Sequence, residues 1–138
     1  MMKEISNREI VESVYEAVGD VQQEGEISKG NVEYLRQILA EDIEWIHPAL
    51  GGTYHGIDSV INDVLIPFWK TWVVTLDSPR YIEDGDTIVV LGIYRATYKP
   101  TGKSMVEPVA HAWDLKDGKV IRLHQYVDTA SIKKQVEA

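Results

Sequence analysis

Two histidines in strand-like stretches are the residues best suited to proton chemistry. His47 alternates with Trp45 and precedes Pro48, which biases the residue before it toward extended backbone. His111 lies in a second alternating stretch and has apolar neighbours. Imidazole titrates near neutral pH, so either side chain could act as a general acid or base. Each could equally be a buried neutral histidine that makes one hydrogen bond.

Two other polar residues could take part in such chemistry. Tyr15 lies on the apolar face of the first predicted helix, so its hydroxyl points into the interior and needs a partner there. Asp128 directly precedes Thr129. It either caps the last helix or acts as an acid or base at the rim of a pocket, and the sequence leaves both roles open.

The residue types argue against metal and cofactor chemistry. The chain has no cysteine, and none of its four histidines lies four residues from another, as a helical zinc site requires. No serine lies in a nucleophile elbow and no glycine-rich phosphate loop is present. We therefore expect no metal and no cofactor.

Length and charge limit the possible partners. With 138 residues, the chain has the size of one domain. Its net charge of −8 and its lack of a basic stripe argue against binding to nucleic acid or to an anionic membrane surface. The N-terminus lacks an apolar core of signal-peptide length, and no apolar run has the length of a membrane span, so we expect a cytoplasmic protein.

Helical patterns dominate the first half of the chain. Ser6 and Glu9 form a capping box before a helix with apolar residues at helical spacing, and Asn31 can cap a second helix. A short strand ends at His47. A third helix follows Asp58, which could cap it, and Pro67 should kink or end it.

From Val73 onward the apolar period changes to two, which is typical of strands. The pattern predicts four long strands in an antiparallel meander and a final helix. These elements are Val73–Glu83, interrupted near Asp77-Ser78-Pro79, then Thr87–Tyr98, Met105–Leu115, Val120–Val127 and the helix Thr129–Val136. The order predicts an α+β domain with helices on one side of a curved sheet.

The faces of these strands suggest a pocket and an interface. The strand Thr87–Tyr98 is apolar on both faces, so we expect the sheet to curl over a pocket while its convex face pairs with a second subunit. In the last strand the better core face carries Ile121, Leu123, Gln125 and Val127. The aromatic cluster Phe68, Trp69 and Trp72 belongs either to the core or to the wall of a cavity.

Three short segments resemble the NTF2-like superfamily, and within it the SnoaL-like polyketide cyclases and the ketosteroid isomerases. They are Trp45-Ile46-His47-Pro48, Gly52-Thr53-Tyr54-His55-Gly56 and Asp117-Gly118-Lys119-Val120-Ile121. The resemblance covers Arg8 to Val136 and implies a single SnoaL-like domain over residues 1–138. It also implies a cone-shaped, curved antiparallel sheet in the order α-α-β-α-β-β-β-β, with helices packed on the concave side, a deep apolar pocket and a homodimer formed through the sheet.

The resemblance also suggests roles for single residues. His47 stands where the isomerases have their carboxylate base, before a proline at the end of the first strand. Tyr15 matches their oxyanion-hole tyrosine, and the position of their protonated aspartate falls on or beside His111. Asp128 lies ten residues after Gly118, as the aspartate of the polyketide cyclases follows its turn glycine.

Two hypotheses follow. In the first, the protein is a cofactor-independent isomerase or cyclase that acts on a small hydrophobic carbonyl compound. His47 is then the base, Tyr15 and His111 stabilise the oxyanion, Asp128 is a second acid or base, and the pocket is lined by Trp45, Trp69, Trp113 and Gln125. In the second, the same pocket binds an apolar ligand without catalysis. Only the first requires His47, His111 and Tyr15 to meet around one cavity.

Overall fold

The computed structural model describes residues 5–24, 29–48 and 52–137. Its strands form a curved six-stranded sheet that packs against helices. This is the α+β architecture that the sequence predicts. The helices are α1 (Asn7–Glu24), α2 (Lys29–Ile38), α3 (Ile57–Ser59), α4 (Ile66–Thr71) and α5 (Thr129–Val136). The strands are β1 (Leu39–His47), β2 (Gly52–His55), β3 (Trp72–Asp84), β4 (Thr87–Tyr98), β5 (Lys103–Lys116) and β6 (Lys119–Val127).

The strands lie in the order β2-β1-β6-β5-β4-β3. Neighbouring strands are antiparallel except β1 and β6, which pair in parallel and so join the first strand to the end of the meander. The predicted meander of four long strands is confirmed. The sequence analysis missed β2, because its four residues lie in a glycine-rich segment too short to show an alternating pattern.

The first helix begins as the capping box predicts. The Glu9 N–H donates to Ser6 Oγ at 3.1 Å, and the Ser6 N–H donates to Glu9 Oε1 at 3.4 Å. Three apolar residues at helical spacing, Ile10, Val11 and Val14, are buried against the sheet. The second helix begins at Lys29, two residues before the predicted cap Asn31.

The third helical segment differs from the prediction at its first residue and at Pro67. Gly56, rather than Asp58, is the N-cap residue of α3, and Asp58 instead pairs with Arg36 at 2.7 Å. A π-helical turn over Val60–Leu65 connects α3 to α4, and Pro67 lies just beyond it in the first turn of α4. The backbone is helical at Leu65 and Ile66, so the helix continues through Pro67, and the wider π-helical turn directly precedes the helix that contains the proline.

A bulge interrupts the pairing of β3 with β4. Their register shifts between Asp77 and Arg80, at the predicted interruption, and Ser78 adopts a φ of 51°. At Gly92 of β4, a Cβ atom would lie 2.6 Å from Leu76 Cδ1. The missing side chain therefore allows β3 to approach β4 closely.

The predicted inner face of β6 is confirmed at its centre and wrong at its start. Leu123 and Gln125 are buried, but Ile121 is only half-buried. Val120, predicted on the opposite face, is fully buried because the β5–β6 register shifts between Asp114 and Leu115.

Candidate active site

A cavity of about 400 Å³ lies between the concave side of the sheet and the helices. Side chains from α1, β1, β5 and β6 bring most of the predicted site residues to its wall. These residues are Tyr15, Trp45, His47, His111, Trp113 and Gln125. The predicted meeting of two imidazoles and one phenol around a shared cavity is therefore present in the structure.

His111 is the centre of a hydrogen-bonded group of rings. Its Nδ1 lies 2.5 Å from the Tyr15 hydroxyl, and its Nε2 lies 2.8 Å from the hydroxyl of Tyr94. The indole N–H of Trp113 donates to the Tyr15 hydroxyl at 3.0 Å. This group joins α1 to β4 and β5, and each buried polar tip in it has a partner.

Burial keeps this group uncharged. Burial, reinforced by the nearby His47, lowers the pKa of His111 to about 3. Burial also raises the pKa of Tyr15 and of Tyr94 above the usual tyrosine value, because a phenolate would lose its hydration there. At neutral pH the wall therefore presents a neutral imidazole between two neutral phenols.

His47 differs from His111 in its hydrogen bonding. Burial lowers its pKa to about 4, partly opposed by a hydrogen bond with its own backbone. Its Nδ1 is buried and finds no hydrogen-bond partner within residues 5–24, 29–48 and 52–137. The same holds for Trp45 Nε1 and Gln125 Oε1, two more polar atoms on residues that line the cavity. Buried polar atoms without partners are costly. These three atoms have almost no accessible surface, so a ligand in the cavity can pair with them only if their side chains turn toward it.

The remaining wall is apolar. Phe68, Trp72, Met105, Ile132 and Val136 contribute to it, the last two from α5. In the part of the chain that the structure describes, no lysine, arginine, aspartate or glutamate lines the cavity. The cavity therefore suits an uncharged, largely apolar molecule with a few oxygen functions.

Comparison with known proteins supplies the family. The model of the SnoaL-like domain matches residues 12–123. The chain belongs to the SnoaL-like family. None of the curated proteins matches it.

Solved structures extend this likeness over nearly the whole SnoaL-like chain. An NTF2-like protein of unknown function from Burkholderia pseudomallei K96243 is 30% identical, with a TM-score of 0.77, and the match covers 97% of this chain and 100% of that one. An NTF2-like protein from Burkholderia xenovorans LB400 is 24% identical, with a TM-score of 0.79 and 95% of each chain covered. TerC, co-crystallised with polyporic acid, is 25% identical, with a TM-score of 0.75 and 96% and 98% covered.

Two predicted site residues lie outside the cavity wall of this SnoaL-like domain. Trp69 is buried in the core, and its neighbours Phe68 and Trp72 line the cavity instead. Asp128 is exposed, and its Oδ1 accepts a hydrogen bond from the Ser131 N–H at 3.1 Å. Of the two roles left open for Asp128, the structure shows the helix cap.

Tyr94 is the site residue that the sequence analysis missed. It lies on the inner face of β4, and the parity of that strand already placed it with Val90 and Gly92. In the strand register, however, His111 is opposite Val90, four residues away from Tyr94. The contact depends on the tyrosine ring leaning along the strand, which alternation alone cannot predict.

Proposed function

We propose that this SnoaL-like domain is a cofactor-independent isomerase or cyclase that moves a proton next to a carbonyl group of a small hydrophobic compound. One observation supports the proposal: His47, whose Nδ1 has no partner among the described residues, lines the same cavity as the hydrogen-bonded Tyr15 and His111. A base and an oxyanion donor around one cavity are the requirements for forming an enolate.

In the proposed reaction, the neutral His47 takes a proton from the carbon beside the carbonyl. Tyr15 donates a hydrogen bond to the carbonyl oxygen, and the Trp113 N–H stabilises the negative charge that Tyr15 begins to share. The imidazolium of His47 is unstable in this buried site, so it returns its proton quickly. Return to another carbon gives an isomer. Attack of the enolate carbon on a second carbonyl of the same molecule instead closes a ring, and the new alkoxide oxygen takes the proton from His47.

The lowered pKa of His47 has two consequences. With a pKa of about 4, the imidazole is unprotonated at neutral pH and can accept a proton. It is also a weak base, so the reaction needs a carbon acid whose anion is well stabilised by the oxyanion donors. Doubly activated or aromatic-conjugated carbonyl compounds meet that need.

The relative crystallised with polyporic acid supports this substrate class. Polyporic acid is a dihydroxyquinone that carries two phenyl rings. Its acidic hydroxyls ionise at neutral pH, so the match to this uncharged cavity concerns its rings and its carbonyl oxygens. The wall here offers aromatic side chains for such rings and unpartnered polar atoms on Trp45, His47 and Gln125 for such oxygens.

The competing proposal is a non-catalytic binding protein with the same cavity. It is supported by the hydrogen bonds that already satisfy Tyr15 and His111 without a ligand. Both proposals predict that polyporic acid quenches the fluorescence of the tryptophans in the wall. Only the enzymatic one predicts turnover that depends on His47.

Deuterium exchange separates the two proposals. The probe is 2-tetralone, an aromatic ketone, incubated in D₂O and followed by NMR at the carbons beside its carbonyl. We expect the protein to accelerate the exchange and His47→Ala to lose at least tenfold of that acceleration. His55→Ala is the matched control, since the His55 side chain is 70% exposed. Equal exchange by His47→Ala and the unmodified protein would remove the base assignment.

A homodimer through the convex face of the sheet is part of the proposal. Three large apolar side chains are exposed there, Ile82, Val106 and Tyr126, at 44%, 55% and 54%. A second copy would cover them. Light scattering should give twice the mass of the chain, and Val106→Glu should shift it toward the monomer. A monomeric mass at all concentrations would contradict this part.

A further inference from the structure

His111 is hydrogen-bonded to a phenol at each of its two ring nitrogens. Nδ1 faces Tyr15 at 2.5 Å, and Nε2 faces Tyr94 at 2.8 Å. Both tyrosines, like His111, line the cavity. A neutral imidazole has one donor nitrogen and one acceptor nitrogen, so its two tautomers fit this arrangement in opposite directions.

The two arrangements differ in which phenol can donate into the cavity. In the first, the Tyr15 O–H donates to Nδ1, the Nε2–H donates to the Tyr94 oxygen, and the Tyr94 O–H is left for the cavity. In the second, the Tyr94 O–H donates to Nε2, the Nδ1–H donates to the Tyr15 oxygen, and the Tyr15 O–H is left for the cavity. The Trp113 N–H can donate to the Tyr15 oxygen in both.

We propose that His111 relays protons between Tyr15 and Tyr94, so that the site delivers a proton at one phenol and recovers one at the other. In the step, the free Tyr15 O–H passes its proton to a ligand oxygen, and the Nδ1 proton moves to Tyr15. The Tyr94 proton moves to Nε2, and the Tyr94 oxygen takes a proton from a second ligand oxygen. Each group gains and loses one proton, and His111 changes tautomer without acquiring a charge.

Burial is the reason for a relay of this kind. A route through free imidazolium or phenolate would place a charge among apolar walls, and burial disfavours both. A relay whose start and end are both neutral avoids that cost. The contacts also have the lengths of well-formed hydrogen bonds, as proton transfer requires.

The relay narrows the substrate class of the proposed function, on which that part of the inference rests. The ligand needs a carbonyl oxygen toward Tyr15 and a hydroxyl toward Tyr94. An uncharged hydroxy-carbonyl compound that interconverts keto and enol forms has both. Tyr94 then contacts the substrate directly and is a catalytic residue, with His111 between the two phenols.

The test is the tautomer of His111, read from the ¹⁵N NMR signals of its ring nitrogens in ¹⁵N-histidine protein at neutral pH. A phenol O–H is a stronger donor than a neutral imidazole N–H. In Tyr94→Phe, Tyr15 should therefore donate to Nδ1 and fix the proton on Nε2. In Tyr15→Phe, Tyr94 should donate to Nε2 and fix the proton on Nδ1. In the unmodified protein the two tautomers should exchange, so both ring nitrogens should have ¹⁵N chemical shifts between those of a protonated and an unprotonated nitrogen.

Tyr126→Phe is the matched control. Tyr126 contacts His124 on the outer face of the sheet, so this variant should leave the His111 signals unchanged. The same tautomer in both inner variants, or one pure tautomer in the unmodified protein, would overturn the relay. If an inner variant fails to fold, the unmodified protein alone still decides. None of these readouts requires turnover. The relay can therefore be disproved while the proposed function stands, and the proposed function can be disproved while the relay stands.

Discussion

Histidine–tyrosine contacts occur on both faces of this sheet. On the inner face, His111 of β5 contacts Tyr94 and Tyr15 and is only 4% exposed. On the outer face, His124 of β6 stacks on Tyr126 with ring centroids 4.2 Å apart and a hydrogen bond of 3.1 Å. Tyr126 is 54% exposed. The residue types and contacts are similar, but the surroundings are not.

The strand register brings these two groups close together. Ala112 is opposite His124, and His111 is opposite Gln125, so a shift of one residue separates the inner histidine from the outer one. On the outer face of the single chain, the Tyr126 side chain is exposed. Inside, burial fixes the protonation state, because a charge there would lose its hydration. The same residue types are therefore held in uncharged forms on the concave side.

Trp113→Ala should give the largest difference between the faces. Trp113 is 2% exposed and donates to Tyr15, so its truncation leaves a large cavity and a phenol with one partner fewer. We expect the free energy of unfolding to fall by about 3–5 kcal/mol, as in other buried tryptophan truncations. Urea denaturation followed by circular dichroism measures this loss.

Tyr126→Ala is the control on the outer face. Without a second copy over this face, a change within about 0.5 kcal/mol is typical of exposed positions. Trp113→Phe provides a milder inner variant if the alanine variant does not fold. A large loss in Tyr126→Ala would show that the outer face is covered, and would favour the proposed dimer over a solvated sheet.

Lowering the pH should give the next largest difference between the inner and the outer face. Folding lowers the pKa of His47 to about 4 and of His111 to about 3, so below the unfolded value of about 6.5 the unfolded chain binds more protons than the folded one. Stability is therefore fully present above pH 6.5. It falls as the pH drops toward the folded pKa values, by up to about 1.4 kcal/mol per unit for each histidine.

Substitution of His47 removes the contribution of this residue to the dependence of stability on pH. Between pH 6.5 and 4, His47→Gln should reduce the loss of stability by about 3 kcal/mol relative to the unmodified protein. Urea denaturation at half-unit pH steps gives the slope for the unmodified protein and for His47→Gln, and equal slopes for these two proteins would contradict the assignment of His47 to the buried side.

Much of the inner face could be predicted from the sequence because it depends on alternation. Trp45 with His47, and His111 with Trp113, share a face by parity, and Tyr15 lies on the apolar stripe of a well-capped helix. The meander and the final helix also follow from periodicity and turn residues. Local patterns of this kind indicate which side of an element a residue occupies.

What could not be predicted depends on register, tilt and rotation. The aromatic residues Phe68, Trp69 and Trp72 are close in sequence, but the rotation of α4 buries Trp69 in the core, whereas Trp72 is the first residue of β3 and lines the cavity. Val120 becomes buried only through a register shift. Tyr94 reaches His111 along the strand, not across it. Such features arise from tertiary packing, which a single strand or helix pattern does not contain.

Asp128 gives the smallest effect and the sharpest test of where the inner face ends. It follows the last residue of β6, and its carboxylate caps α5 through the Ser131 N–H. Asp128→Ala should lower the free energy of unfolding by about 1 kcal/mol, since it removes an N-cap.

Asp128→Asn should keep most of that stability, because asparagine caps equally well. This variant should also exchange the protons of 2-tetralone at the rate of the unmodified protein. A carboxylate that acts as an acid or base would instead lose activity on amidation. Loss of exchange without loss of stability would therefore place Asp128 in the reaction after all.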